Sequence, residues 1–275
     1  MTKRTAIKTF RTTLFYAGAA ALCVGPLFVF VWMIMTGLKT GVQNITYPPE
    51  FFFTPTLENF QAVFQQHNFF RYLMNSLIIA TLATGLSLVL GLPAAYSIAK
   101  YRQGRIGMII LLARMTPFVS YLLPWYIIFR YLKLIDTYTA LTLTHLIITL
   151  PMVAWLMVAF FESVPAELED AAMIDGCSRL KSFLIIVLPL VRNGIATSAI
   201  MAFIFSWNQF LFSLILSGPQ TKTVPVAVYN FISYGKIDWA GIGAAATLIV
   251  LPVSVFAFFV RKTIVQGLTM GALKD

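Results

Sequence analysis

Apolar residues run along this chain in six long blocks, at about 14–36, 73–99, 107–130, 139–161, 193–217 and 240–260. Each is long enough to cross a hydrocarbon core of roughly 30 Å, which takes about 20 helical residues. Pro26, Pro93, Pro117, Pro124, Pro151 and Pro252 interrupt five of the blocks. Such breaks are tolerated where neighbouring helices or a polar cavity satisfy the freed carbonyls. The pattern predicts an all-α integral membrane protein, with six transmembrane helices in a single domain over residues 1–275. One long polar interruption stands out at 162–192, between spans four and five. It carries the acid-rich run Glu169-Asp170-Ala171-Ala172-Met173-Ile174-Asp175-Gly176, followed by Leu188-Pro189. Polar chain that interrupts a membrane bundle has to be held by something outside the bilayer, and a soluble partner is the simplest holder.

Composition agrees with the pattern: 59% of residues are hydrophobic and 11% charged, where a soluble domain carries roughly a quarter charged. The net charge of +10 could suggest nucleic acid, but its placement argues against that partner. Lys3, Arg4, Lys8, Arg11, Lys100, Arg102, Arg105, Arg179, Lys181, Arg192, Arg261, Lys262 and Lys274 share one side of a six-span topology. Lys39, Arg71, Arg130, Lys133, Lys222 and Lys236 fall on the other. The positive-inside rule then predicts a multi-pass membrane protein, surrounded by lipid, with both termini cytoplasmic. Basic residues precede Ala19-Ala20-Ala21-Leu22-Cys23, but hydrophobicity continues to Met35, which predicts an uncleaved first span. Cys23 in a span and Cys177 in a loop are not expected to pair.

All ten acidic residues fall outside the six blocks, so the intramembrane carboxylate that ion-coupled carriers usually need is missing. There is no G-x-x-x-x-G-K-[ST] stretch to cradle a nucleotide. His67 and His145 make no metal-ligand cluster, so no metal site is expected. A secondary carrier of small polar solutes is the alternative reading, but it lacks its coupling site. A membrane-embedded enzyme lacks clustered catalytic groups, and the chain is read as non-catalytic. A transporter so equipped must draw energy from another subunit.

Within 162–192, Ser163 is placed to cap a helix with Pro165 in its first turn. Glu167, Glu169 and Asp170 lie near the positive end of that helix dipole. Leu168, Ala171, Ala172 and Asp175 are expected to share one shallow face. Asp175-Gly176 signals a turn, and Ser178 caps a second short helix, Arg179 to Leu188, limited or kinked by Pro189. The acidic first helix is unlike the basic helices that lie on lipid headgroups, which favours a docking surface.

Asp170-Ala171-Ala172, Gly176 and Leu188-Pro189 match in order and spacing the EAA motif of ABC importer permeases, with Asp where that motif has Glu. Tyr72-Leu73-Met74-Asn75-Ser76, Ser206-Trp207-Asn208-Gln209-Phe210-Leu211-Phe212 and Gly267-Leu268-Thr269-x-Gly271-Ala272 resemble the carbohydrate branch, of the maltose permease second-subunit type. The resemblance implies a type I importer permease fold in which 162–192 is a cytoplasmic coupling helix–turn–helix. Implied partners are a second homologous permease, two ATPase subunits or a homodimer, and a periplasmic or lipid-anchored solute-binding protein. ATP and Mg would be bound by the ATPases, and no cofactor by this chain. The ATPase-contacting role falls on Glu169, Asp170, Ala171, Ala172, Asp175 and Gly176, and the implied solute is a sugar or related polyol.

Among polar residues in the spans, Trp207, Asn208 and Gln209 read either as pore lining or as interhelical hydrogen bonding. Asn75 and Ser76 could meet solute or neighbouring helices. Arg114, some eight residues into span three, suggests a structural or gating role. Tyr121, a further candidate for the solute path, runs with Trp125, Tyr126 and Tyr131 toward an aromatic belt. His145 reads as a satisfied packing histidine. The external segments 37–72 and 218–239 are expected to form the surface met by the binding protein.

Overall fold

The computed structural model describes residues 3–66, 68–233 and 236–270. His67, Gly271, Ala272 and Lys274 therefore lie outside the described residues. In chain order the helices are α1 (Lys3–Leu38), α2 (Gly41–Ile45), α3 (Glu58–Gln66), α4 (Phe69–Lys100), α5 (Gly104–Met115), α6 (Val119–Tyr131) and α7 (Tyr138–Glu162). After these come α8 (Ala166–Ile174), α9 (Arg179–Ser182), α10 (Leu188–Leu190), α11 (Arg192–Trp207), α12 (Leu211–Leu216), α13 (Val224–Ala227) and α14 (Trp239–Met270). One antiparallel pair of two-residue strands, β1 (Ile232–Ser233) and β2 (Lys236–Ile237), departs from the all-helical pattern. Among the described residues, three helices are long and apolar enough to cross a membrane alone, and up to five spans result if each bent pair counts as one.

Two expected spans are broken. The 107–130 block becomes α5 and α6, which meet at 89°. Pro117 has no N–H to donate, and Thr116 before it takes the extended conformation (φ −69°, ψ 127°) that a following proline enforces. The 193–217 block splits between α11 and α12. There the Asn208 side chain donates to the Ile204 carbonyl at 2.9 Å, a local bond that competes with the helical ladder. The expected Ser163 cap is also corrected. Ser163 closes α7, its hydroxyl donating to the Phe160 carbonyl at 2.7 Å, and extended Pro165 is the residue that precedes α8. Ser178 does cap α9, accepting from the Lys181 amide at 3.3 Å. Pro189 does not end the second helix. A π turn over Phe183–Val187 precedes it and the chain bends by 79° near Val191, which adapts the ladder to the missing N–H.

The chain divides into two compact units. One contains residues 1–69 and 228–251. Here α1 is exposed along its apolar length until its last turns, where Gly37 lies backbone to backbone against Gly243 and Ala244: a Cβ on Gly37 would come within 2.8 Å of the Ala244 nitrogen. Asn59 Nδ2 donates to the Gly37 and Lys39 carbonyls, both at 2.8 Å, so the segment after α1 folds back on it. Lys39 is buried with its ammonium over the rings of Trp32 at 4.7 Å and Phe53 at 5.1 Å.

The other unit contains residues 70–227 and 252–275. One apolar cluster includes Met152, Met157, Phe161, Phe183, Val187 and Ala202; a second includes Ile79, Phe129, Leu141, Phe212 and Leu216. Polar side chains stitch the helices between them. Ser87 and Thr149 hydroxyls are 2.6 Å apart across α4 and α7. His145 Nδ1 lies 2.7 Å from Ser206 Oγ, with a weaker 3.4 Å contact from Nε2 to Ser213 Oγ, so it packs as a bonded histidine between α7, α11 and α12. Tyr121, Trp125 and Tyr126 pack half-buried on the second cluster, while Tyr131 stays exposed.

A close approach of α7 and α11 at Gly194 sets a packing test. A Cβ on Gly194 would overlap the Phe160 ring, whereas Gly85 on α4 has nothing within 4 Å. Gly194→Leu should cost about 1–3 kcal/mol by overpacking and lower the thermal midpoint of the purified protein, with Gly85→Ala nearly neutral. Equal midpoints for the two variants would contradict the packing.

Candidate functional site

The loop from 162 to 192 folds as two short helices with a glycine elbow. Helix α8 ends at Asp175, and Gly176 takes φ +84°, a left-handed value that glycine reaches without a Cβ penalty. Amides of Asp175, Gly176 and Cys177 return to the carbonyls of Ala171, Met173 and Ala172 at 3.0, 3.1 and 3.0 Å. The elbow is closed by its own backbone. On α8, Glu169 and Ala172 are buried, while Leu168, Asp170, Ala171 and Asp175 are exposed. The expected common face of Leu168, Ala171, Ala172 and Asp175 thus loses Ala172, because Glu169 and Ala172, three apart, form the side that packs on the chain.

Glu169 turns toward the end of α4. Its Oε1 lies 2.5 Å from Lys100 Nζ and accepts a hydrogen bond from the Tyr96 hydroxyl. Burying a carboxylate is costly unless it is paired and hydrogen-bonded, and both conditions are met here. The Tyr96 ring packs against Phe183 at 4.8 Å and Phe161 at 5.8 Å between centroids. A second contact joins the same regions: Arg179 donates to the Tyr101 hydroxyl and its guanidinium lies 5.8 Å from that ring. A cleft of about 520 Å³ opens beside this cluster, lined among others by Lys100, Arg102, Glu162, Glu169 and Asp170.

At the Phe69 end of α4, Asn75 and Ser76 are buried and occupied by the chain itself. Asn75 Nδ2 donates to the carbonyls of Gln220 at 3.0 Å and Lys222 at 2.9 Å, and its Oδ1 accepts from the Tyr138 hydroxyl at 2.7 Å. Ser76 Oγ accepts the Val224 amide at 2.9 Å. Asp136 completes the clamp, accepting the amides of Gly218, Thr221 and Gln220 at 2.8, 2.9 and 3.1 Å and the Thr221 hydroxyl at 2.7 Å. These residues fasten the segment 217–224. Of the remaining candidates, Trp207 is buried against Phe203 with 5.8 Å between rings, and its Nε1 has no hydrogen-bond partner among the described residues. Gln209 is buried beside it and Asn208 exposed. Tyr121 is half-buried and Arg114 is exposed in the last turn of α5. The structure does not gather these into one site.

Residues 87–270 match the family described as binding-protein-dependent transport system inner membrane component. The chain belongs to this family. The sulfoquinovosyl glycerol transport system permease protein of Agrobacterium fabrum is 35% identical to this permease over 94% of it and 93% of the relative. The trehalose/maltose transport system permease protein of Thermococcus litoralis is 33% identical over 94% and 95%. Among solved structures, a bacterial ABC transporter for import of the polysaccharide alginate shares the fold. Its TM-score is 0.75 at 20% identity, over 95% of this chain and 98% of that one. The permease is therefore a transport subunit of the inner membrane that works with a binding protein.

Reading the sequence missed Lys100, Tyr96, Arg179 and Asp136 as site residues. In the sequence Lys100 and Arg179 read only as part of the charge pattern, and Asp136 only as one of the acids outside the spans. The one signal was Tyr96 and Lys100 at i, i+4, which shares a helix face but names no partner.

Asp136 generates a pH test. Burial alone would raise its carboxyl, but the Thr221 hydroxyl and the amides of Gln220, Gly218 and Thr221 outweigh it and hold it below the ordinary value. The clamp is then fully present above the ordinary Asp value of about 3.9 and weakens as pH falls below it, through the lowered folded-state value. Asp136→Asn should flatten the acid limb of the thermal midpoint below about pH 4. An acid limb as steep as in the unmodified protein would refute the clamp.

Proposed function

We propose that this permease is one of two homologous permease subunits of an ATP-driven importer for a sugar or related polyol. Two ATPase subunits, which hold the ATP and Mg, dock on the loop 162–192, and a binding protein delivers solute on the opposite side. The observation that carries this reading is the orientation of α8. Its back, Glu169 and Ala172, is fixed to the chain, while Asp170, Ala171 and Asp175 stand outward as a small-residue ridge beside the Gly176 elbow. A ridge of that kind admits close approach by another protein. The relatives named for sulfoquinovosyl glycerol and for trehalose and maltose support a carbohydrate solute.

In this reading the single permease domain crosses the membrane six times, through α1, α4, the bent pair α5–α6, α7, α11 with α12, and α14. The Lys100 end of α4, the ridge of α8 and both termini face the cytoplasm, in keeping with the basic residues on that side. Asn75, Ser76 and the segment 217–224 face outward. Glu169 then serves from behind the ATPase contact rather than within it.

The test is reconstitution with the companion permease, the ATPase and the binding protein, followed by a screen for the sugar that stimulates ATP hydrolysis. Gly176→Pro should insert at normal levels yet lose transport, because proline near φ −65° cannot adopt the elbow's +84°. Solute movement by this chain in vesicles free of ATPase would overturn the proposal.

A further inference from the structure

The loop 162–192 is covalently continuous with α7 and α11, yet it is held most specifically by a helix that is not its chain neighbour. Three side chains reach it from the Lys100 end of α4, two of them converging on one Glu169 oxygen. Lys100 pairs with Glu169 on α8 at 2.5 Å. Tyr96 divides its side chain between the two halves of the loop, the hydroxyl donating to Glu169 and the ring lying 4.8 Å from Phe183. Tyr101, just past the end of α4, receives Arg179 at the start of α9. The two halves of the loop and the end of α4 thus form one bonded body.

At its other end the same helix is equally committed. Asn75 and Ser76 hold Gln220, Lys222 and Val224 by their backbones, and the Lys222 ammonium lies 6.0 Å from the Tyr72 ring. Between Asn75 and Lys100 the helix continues through Pro93, which removes one ladder bond, and spans about 37 Å at 1.5 Å per residue.

We infer that α4 is the connecting rod of this subunit, with Lys100 and Tyr96 as positioning residues that latch it to α8. Displacement of α8 is passed through the Glu169 latch into α4 and, through Asn75 and Ser76, into the segment 217–224. The inference rests on the proposed docking of the ATPase on α8. Energetic coupling of this kind needs a demonstrated response at both sites, since a chain of contacts alone does not establish it.

The experiment uses the assembled complex with its binding protein, with Cys23 and Cys177 replaced by Ser. Two single cysteines report separately. Ala171→Cys reports docking by cross-linking to the ATPase. Gln220→Cys reports the far end, by its labelling rate with a membrane-impermeant maleimide before and after trapping with ATP and vanadate. In the otherwise unmodified complex trapping should change the Gln220→Cys rate. Lys100→Met should abolish that change and lower transport per ATP hydrolysed by about tenfold, within the range of ordinary coupling energies. The Ala171→Cys cross-link should persist. The exchange Lys100→Glu with Glu169→Lys should restore both responses, which a residue that merely stabilises the fold would not do. Where Lys100→Met fails to assemble, Tyr96→Phe keeps the ring, removes the hydroxyl and carries the same expectation. A labelling change that survives Lys100→Met, or a charge exchange no better than the single variants, overturns the latch. Loss of the Ala171→Cys cross-link in the otherwise unmodified complex removes the docking reading instead, so the two failures are told apart.

Discussion

A carboxylate removed from water in so apolar a chain has to find its counter-charge within the chain, and the pairing of Glu169 with Lys100 meets that requirement. Much of the local architecture follows from it. Helix α8 presents Glu169 and Ala172 inward because that is where the cation is, and it is this rotation that leaves Asp170, Ala171 and Asp175 outward. Tyr96 contributes a hydroxyl to the same oxygen and a ring to Phe183, so the polar pair sits against apolar packing that excludes water from one side. Breaking such a pair from one partner leaves an uncompensated buried charge, which is far costlier than never having had the pair.

The same economy governs the opposite end of the unit. Asn75, Ser76 and Asp136 spend their hydrogen-bonding capacity on backbone groups of 217–224, a segment with no regular ladder of its own. Buried backbone groups need partners, and here side chains from α4 and from the turn before α7 provide them. Polar residues that looked available to a solute are thereby engaged in holding the chain. The exposed Asn208 next to buried Trp207 and Gln209 is a different case: it marks the break between two helices, where the ladder is interrupted and the side chain turns back on Ile204.

Bends also have local causes and long-range results. Pro117 turns one apolar block into two helices at 89°, and beyond the π turn ahead of Pro189 the loop 162–192 runs into α11 through a 79° bend.

The amino-acid sequence by itself determined the membrane class, the positions of the long helices, the glycine elbow at Gly176, the cap at Ser178 and the family, because each depends on local composition or on spacing within a few turns. Four of the six apolar blocks became single helices, two of them within a few residues of their expected limits, while α1 begins well before its block at Lys3 and α14 runs past its block to Met270. The start of α8 differs from its expected place at Ser163 and Pro165, since a proline constrains a single residue while neighbouring packing decides where the helix begins, whereas the kink allowed at Pro189 falls two residues on, near Val191. Which side of α8 faces the chain, what Lys100 neutralises, and whether Asn75 binds solute or backbone were decided only by the tertiary structure. Those choices join residues some 60 to 150 positions apart, and hydrophobic periodicity carries no information about which charge will meet which across such a distance.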